Sequence, residues 1–165
     1  METLTEENKK QVRYAGFWLR FLAYLIDSFI LNIIGLLLAL PFIGTLVLSA
    51  LKLSDTPAND AMNILGITGI LGSVLLIILI KFVGGWLYYA LMQSSAKQAT
   101  LGKMAVGAIV TDLQGNRITF ARATARYFSK MITDMTSLIG YILAGVTEKK
   151  QALHDMIAGT LVILK

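Results

Sequence analysis

The chain of 165 residues has no cysteine, one histidine and two prolines, and only 15% of it is charged. Without cysteine there is no disulfide scaffold, no thiolate nucleophile and no zinc-thiolate site, and one histidine leaves too few soft ligands for a typical transition-metal cage. No metal and no cofactor is therefore expected. No nucleophile and base stand at recognisable spacing, which together with the scarcity of charge disfavours a soluble enzyme. Apolar residues make up 56% of the chain and the mean hydropathy is +0.68, against about 45 to 50% apolar content in soluble domains. Fifteen Lys and Arg against ten Asp and Glu give a net charge of +5, which in so apolar a chain points to cytoplasmic loops of a membrane protein rather than to nucleic acid.

Residues 1–13 carry Glu2, Glu6 and Glu7 and then Lys9, Lys10 and Arg13, and read as a solvated cytoplasmic tail or a short interfacial helix. A cleaved signal peptide would need a shorter apolar core ending in small residues. From 17 to 40 the chain is apolar apart from Arg20 and Asp27, enough for one crossing of a bilayer core of about 30 Å. Pro41 is expected to kink or end this span, with 42–53 as a continuation or a short outer helix. Turn residues between Lys52 and Asn63 form the loop. A second span runs over 64–92 with Lys81 as its single charge. Trp18 and Tyr14 at one end and Trp86, Tyr88 and Tyr89 at the other place aromatic belts at one membrane face. Positive charges flank the pair on that side, whereas the loop holds only Lys52. The expected location is a bacterial-type cytoplasmic membrane, crossed more than once, with the N-terminus cytoplasmic.

After the second span the pattern changes. Residues 104–120, with a turn at Asp112–Asn116, read as a cytoplasmic β-hairpin, to which 160–164 adds a third strand. A helix is expected over 120–146; Arg122, Arg126, Lys130 and Asp134 fall every fourth residue, and its apolar second half, 135–146, is twelve residues, below the spanning length, which favours an interfacial or re-entrant helix over the alternative of a full third span. The expected fold is an all-α membrane protein with two long spans, an amphipathic or re-entrant third helix and a small β element. Residues 14–165 would form a single domain.

Charges within the spans are the candidate site. Asp27 is about 15 Å along the first helix from Phe17, near mid-membrane, and Lys81 is at a similar depth on the second, so an Asp27–Lys81 ion pair is expected. Arg20, Tyr24 and Asp27 share one helix face. The arrangement is either a proton or monovalent-cation site centred on Asp27 or a clamp that fixes the register of two helices. Ser28 and Asn32 are secondary oxygen ligands, and His154 beside Asp155 is either a proton relay or a loop tie. Gly66, Gly69 and Gly72 suit close helix packing or self-association. Gly102 and Lys103 lack the frame of a phosphate loop.

The stretches Gly16-Phe17-Trp18-Leu19-Arg20-Phe21-Leu22-Ala23-Tyr24-Leu25-Ile26-Asp27 and Leu153-His154-Asp155-Met156-Ile157-Ala158-Gly159-Thr160 resemble the RDD family of small membrane proteins. So do Thr100-Leu101-Gly102-Lys103, the run Asp112–Asn116 and Arg126 between them. The resemblance implies Arg20, Asp27 and Asp155 as the functional positions; Lys81 is not among the family's named letters. Some family members have been proposed as cation/proton antiporters, and the domain also accompanies other membrane machinery. Two functions follow as expectations. One is a small exchanger, working as a homo-oligomer because two spans enclose no pathway. The other is a non-catalytic adaptor that binds a larger membrane protein at the lipid bilayer.

Overall fold

The computed structural model describes residues 13–55, 60–135 and 139–165. Two long helices come first, α1 over Phe17–Asp55 and α2 over Asp60–Ser94. Both are long and apolar enough to cross a membrane, over Phe17–Leu51 and Ile64–Ser94. α1 runs on past Pro41, the continuation over 42–53 rather than the short outer helix that was its alternative. Proline withholds a single donor, and away from water an interrupted helix would leave several backbone groups unpaired instead. The interval expected as a loop from Lys52 to Asn63 shrinks accordingly, since helix reaches Asp55 and resumes at Asp60. The tail at 1–12 lies outside the described residues.

The chain divides into two compact units. Residues 29–87 form one. Within it α1 and α2 are antiparallel: Thr45 meets Ser73 through a 2.7 Å hydroxyl contact, Ser49 lies against Gly69, and the Lys81 stem lies along Gly35. Apolar side chains point outward on all sides, as at Leu37, Leu48, Leu65 and Leu71, each more than 60% exposed. Water would not tolerate so continuous an apolar surface; lipid does.

The second unit combines the described residues of 13–28 and 88–165. Its secondary elements are α3 (Leu101–Ala105), β1 (Ala108–Asp112), α4 (Phe120–Met135), α5 (Ile139–Val146), α6 (Leu153–Ile157) and β2 (Thr160–Leu164). The β1 partner is β2, antiparallel, with Val110 opposite Val162 and both fully buried. The hairpin expected over 104–120 is not what forms. Thr100 accepts a hydrogen bond from the Lys103 amide and starts α3, which takes Met104 into a helix. Thr119 likewise accepts from the Arg122 amide at the start of α4, so Arg117 keeps only a single bridge to Thr111. The turn between them does form as expected: Asp112 accepts from the Gln114 and Asn116 amides, and Gly115 supplies the positive φ of 87°. The third contributor to the sheet is the segment before α1, where Tyr14 bridges to Ile163.

Of the helix expected over 120–146 the structure describes α4 and α5, on either side of residues 136–138, which lie outside the described residues. α4 is amphipathic, but its polar stripe faces inward. Ala123, Arg126, Ser129 and Thr133 are buried, while Phe128, Met131 and Ile132 are exposed. A helix whose apolar side looks outward belongs against lipid rather than water.

Candidate functional site

Asp155 is fully buried at the centre of a four-element junction in this unit. Its carboxylate receives the Arg20 guanidinium from α1 and two donors of the Arg126 guanidinium from α4, Nε at 2.9 Å and Nη2. The Ala152 amide at the start of α6 adds a fourth bond at 3.2 Å. Both arginines are also held from behind. Arg126 donates through Nη1 to Gln93 of α2 at 2.5 Å, and Arg20 donates to the carbonyls of Ala15 and Lys150 at 2.8 and 2.7 Å. Planar guanidinium groups with several donors suit such multiple engagement in a way that lysine does not.

Burial disfavours the charged form of Asp155, but the two guanidinium groups outweigh it and hold this carboxyl well below the usual carboxylate range. His154 follows the opposite course. Its Nε2 is 3.4 Å from the Asp155 carboxylate. Burial nevertheless dominates, Arg126, Arg20 and Lys130 add repulsion, and the imidazole pKa falls to about 3. His154 is therefore neutral at physiological pH, a packed neighbour of the ion cluster rather than a cation in it.

Asp27 forms a separate junction. One carboxylate oxygen accepts from Tyr88 Oη and the Gly102 amide, both at 2.7 Å, and the other from Thr100 Oγ1 at 2.6 Å. Tyr88 Oη in turn accepts the Leu101 amide at 3.0 Å. The carboxylate thus ties α1 to the end of α2 and to the first turn of α3. A close backbone approach makes this possible: a Cβ on Gly102 would lie 2.1 Å from the Ala23 carbonyl oxygen, so only glycine fits.

The expected Asp27–Lys81 ion pair is replaced by these three uncharged donors. Lys81 belongs to the other unit and lies beside Gly35, eight residues further along α1 than Asp27. Similar depth along the two helices does not bring the two residues together, because Lys81 packs against Gly35 and the helices are offset in register. The secondary candidates Ser28 and Asn32 are not partners of the carboxylate, and Asn32 is exposed. Tyr24 faces α4, with the Lys130 ammonium 4.2 Å from its ring centroid. Thr100, Gly102, Tyr88 and Gln93 complete the site without having been singled out as site residues; the Thr-Leu-Gly-Lys run was their one visible trace. Among the described residues no group of three His, Cys, Asp or Glu side chains could hold a metal.

Between the two junctions lies a cavity of about 310 Å³. Arg20, Asp27, Lys103, Arg126, Lys130 and His154 line it, with Phe17, Phe21, Tyr24 and Tyr89 as aromatic wall.

Two lipid-length helices, with one arginine–aspartate junction at Asp155 and one neutral-donor junction at Asp27 that gather the start of the first and the end of the second into one compact unit, define a small helical membrane protein. The chain belongs to the RDD family, whose pattern matches residues 14–159. It is 33% identical over 152 residues to YxaI of Bacillus subtilis (strain 168), described as uncharacterized, covering 92% of this chain and 97% of that one. It is 31% identical over 156 residues to YteJ of the same organism, described as an uncharacterized membrane protein, covering 91% and 80%. No solved structure matches.

Proposed function

We propose that this RDD protein is a non-catalytic membrane adaptor. Its two long helices cross the bilayer as a hairpin, and the compact unit lies at the cytoplasmic face, where it engages a larger membrane protein. The observation that carries this reading is the saturation of the charged residues. Asp155 is committed to Arg20, Arg126 and a backbone amide, and Asp27 to three neutral donors on elements it must hold together. An exchanger alternates a carboxylate between proton and cation, and here each release would detach α1 from its neighbours. Positive residues around the compact unit support the cytoplasmic placement. Purification from native membranes in several detergents tests the adaptor role. An integral membrane protein should be recovered in fixed ratio and change its own activity when this chain is deleted; recovery of this chain alone from every detergent overturns the reading.

A cation/proton exchanger is the second reading, favoured by one observation: Asp27 borders the cavity. Flux in reconstituted vesicles decides it. A pH-dependent cation movement that is lost on Asp27→Asn, with the protein still folded, would move the assignment to transport. Equal flux in parent and variant removes it.

A further inference from the structure

The cavity of the compact unit carries more cation than its carboxylates take up. Four cationic side chains line it, from Arg20, Lys103, Arg126 and Lys130. The two arginines are spent on Asp155, and the Asp27 carboxylate is directed at Tyr88, Thr100 and Gly102. Among the described residues the Lys103 ammonium has no hydrogen bond or ion pair, and the Lys130 ammonium rests over the Tyr24 and Tyr89 rings at 4.2 and 5.5 Å. Asp134, one turn on along α4 from Lys130 and exposed, also lines the cavity and partly offsets that ammonium, so four cations there face the three carboxylates of Asp27, Asp134 and Asp155. Burial above all, with repulsion from Arg126, holds both lysines below their usual range despite the attraction of Asp134 on Lys130 and of Asp27 and Asp155 on Lys103.

The cavity also has an apolar side. Phe17, Phe21 and Tyr24 of α1 line it, and Phe21 and Tyr24 are themselves 43% and 47% exposed. Its mouth is therefore continuous with the outer apolar surface of α1, and α4 turns Phe128, Met131 and Ile132 outward in the same unit. A ligand that suits both parts is anionic at one end and apolar at the other, and about 310 Å³ accommodates a head group but not acyl chains.

We propose that this cavity binds the phosphate of an acidic phospholipid, with Lys103 and Lys130 contacting the phosphate and Phe17 and Phe21 the base of the acyl chains. The lipid would fill a gap in the charge balance of the unit, and this role does not depend on whether the protein also binds a membrane partner. The test uses the full chain in a neutral detergent, titrated with phosphatidylglycerol, phosphatidylcholine or inorganic phosphate and followed by native mass spectrometry and thermal unfolding. Phosphatidylglycerol should bind about tenfold more tightly than phosphatidylcholine and raise Tm with its concentration, and Lys103→Gln with Lys130→Gln should abolish that preference. Lys97→Gln, at an exposed position outside the cavity lining, should keep it. Equal binding of the two lipids, a preference surviving in the double variant, or full competition by inorganic phosphate would overturn the proposal. Should the double variant fail to fold, photoreactive phosphatidylglycerol on the wild-type protein decides. Cross-links at cavity residues of α1, α3 or α4 support the site, and cross-links confined to residues 29–87 overturn it.

Discussion

Asp155 is the residue on which most of the compact unit converges, because α1, α4 and α6 each send it a donor. Removing one member of a buried ion cluster leaves an uncompensated charge, at about 3 to 5 kcal/mol. Asp155→Asn strands two guanidinium groups, so it should destabilise the detergent-solubilised protein by at least that much. Arg126→Lys, which keeps the charge but loses the fork that spans Asp155 and Gln93, should fall between wild type and Asp155→Asn in denaturant midpoint. A midpoint for Arg126→Lys equal to wild type would mean that charge alone, not the fork, holds the junction. His154 sets the acid sensitivity. It faces Asp155 from its own helix, Arg126 and Lys130 of α4, and Arg20 of α1. In the folded protein it titrates at about 3, in the unfolded chain near 6.5, so between those values the unfolded state binds the extra proton. Stability is therefore complete above about pH 6.5 and falls as pH is lowered, by about 1.4 kcal/mol per pH unit once the unfolded imidazole is protonated. Asp155 adds loss in the same direction below its ordinary value of 3.8, as its depressed folded pKa is approached. His154→Gln should flatten the slope between about pH 6 and pH 4 while leaving the more acid loss in place, which a series of thermal melts against pH would show.

The helices and short connectors differ in how far their sequence foretells them. Apolar runs disclose α1 and α2 because lipid exposure demands apolar side chains all round, and the periodicity at Arg122, Arg126, Lys130 and Asp134 discloses α4. The direction that stripe faces is not disclosed, since its partner Asp155 is 29 residues away from Arg126. The family likeness marks Arg20, Asp27 and Asp155, yet charge and depth alone led to Lys81, because neutral donors such as Tyr88 and Thr100 announce nothing in a sequence. Glycine spacing was similarly ambiguous. Gly69 packs on Ser49, whereas a Cβ on Gly72 would meet nothing within 4 Å, and the glycine that matters most for α3 is Gly102. Gly102→Ala drives a Cβ into the Ala23 carbonyl, where no side-chain rotation relieves it, so α3 must shift and loosen its amide bond to Asp27. Overpacking of this kind costs about 1 to 3 kcal/mol. Gly72→Ala adds a methyl to open space and gains helix propensity, so its Tm should match or exceed wild type. Equal losses from the two variants would show that α1 and α3 do not approach as described.

The β connections decide how many times the whole chain crosses the bilayer. The Ala15 amide donates to Val162 at 2.9 Å and the Leu164 amide to the Arg13 carbonyl at 2.8 Å, so the segment entering α1 and the last strand share one sheet. Segments joined by hydrogen bonds cannot lie on opposite sides of a membrane, which restricts the chain to an even number of crossings. The described part of α5, Ile139–Val146, rises about 12 Å, short of a crossing by itself. The absence of cysteine makes this directly measurable, since any single cysteine introduced is the sole thiol. In the proposed orientation, with the compact unit cytoplasmic, Thr56→Cys should react with a membrane-impermeant maleimide on intact cells, and Arg13→Cys and Lys165→Cys only after permeabilisation. Arg13 and Lys165 are both exposed, so failure to label would not reflect burial in the compact unit. The two terminal positions must behave alike whichever way the hairpin is inserted. If they label from opposite sides, these hydrogen bonds cannot form in the membrane, and the Asp155 junction, which joins Arg20 just after the first paired segment to α6 just before the last strand, would be lost with them.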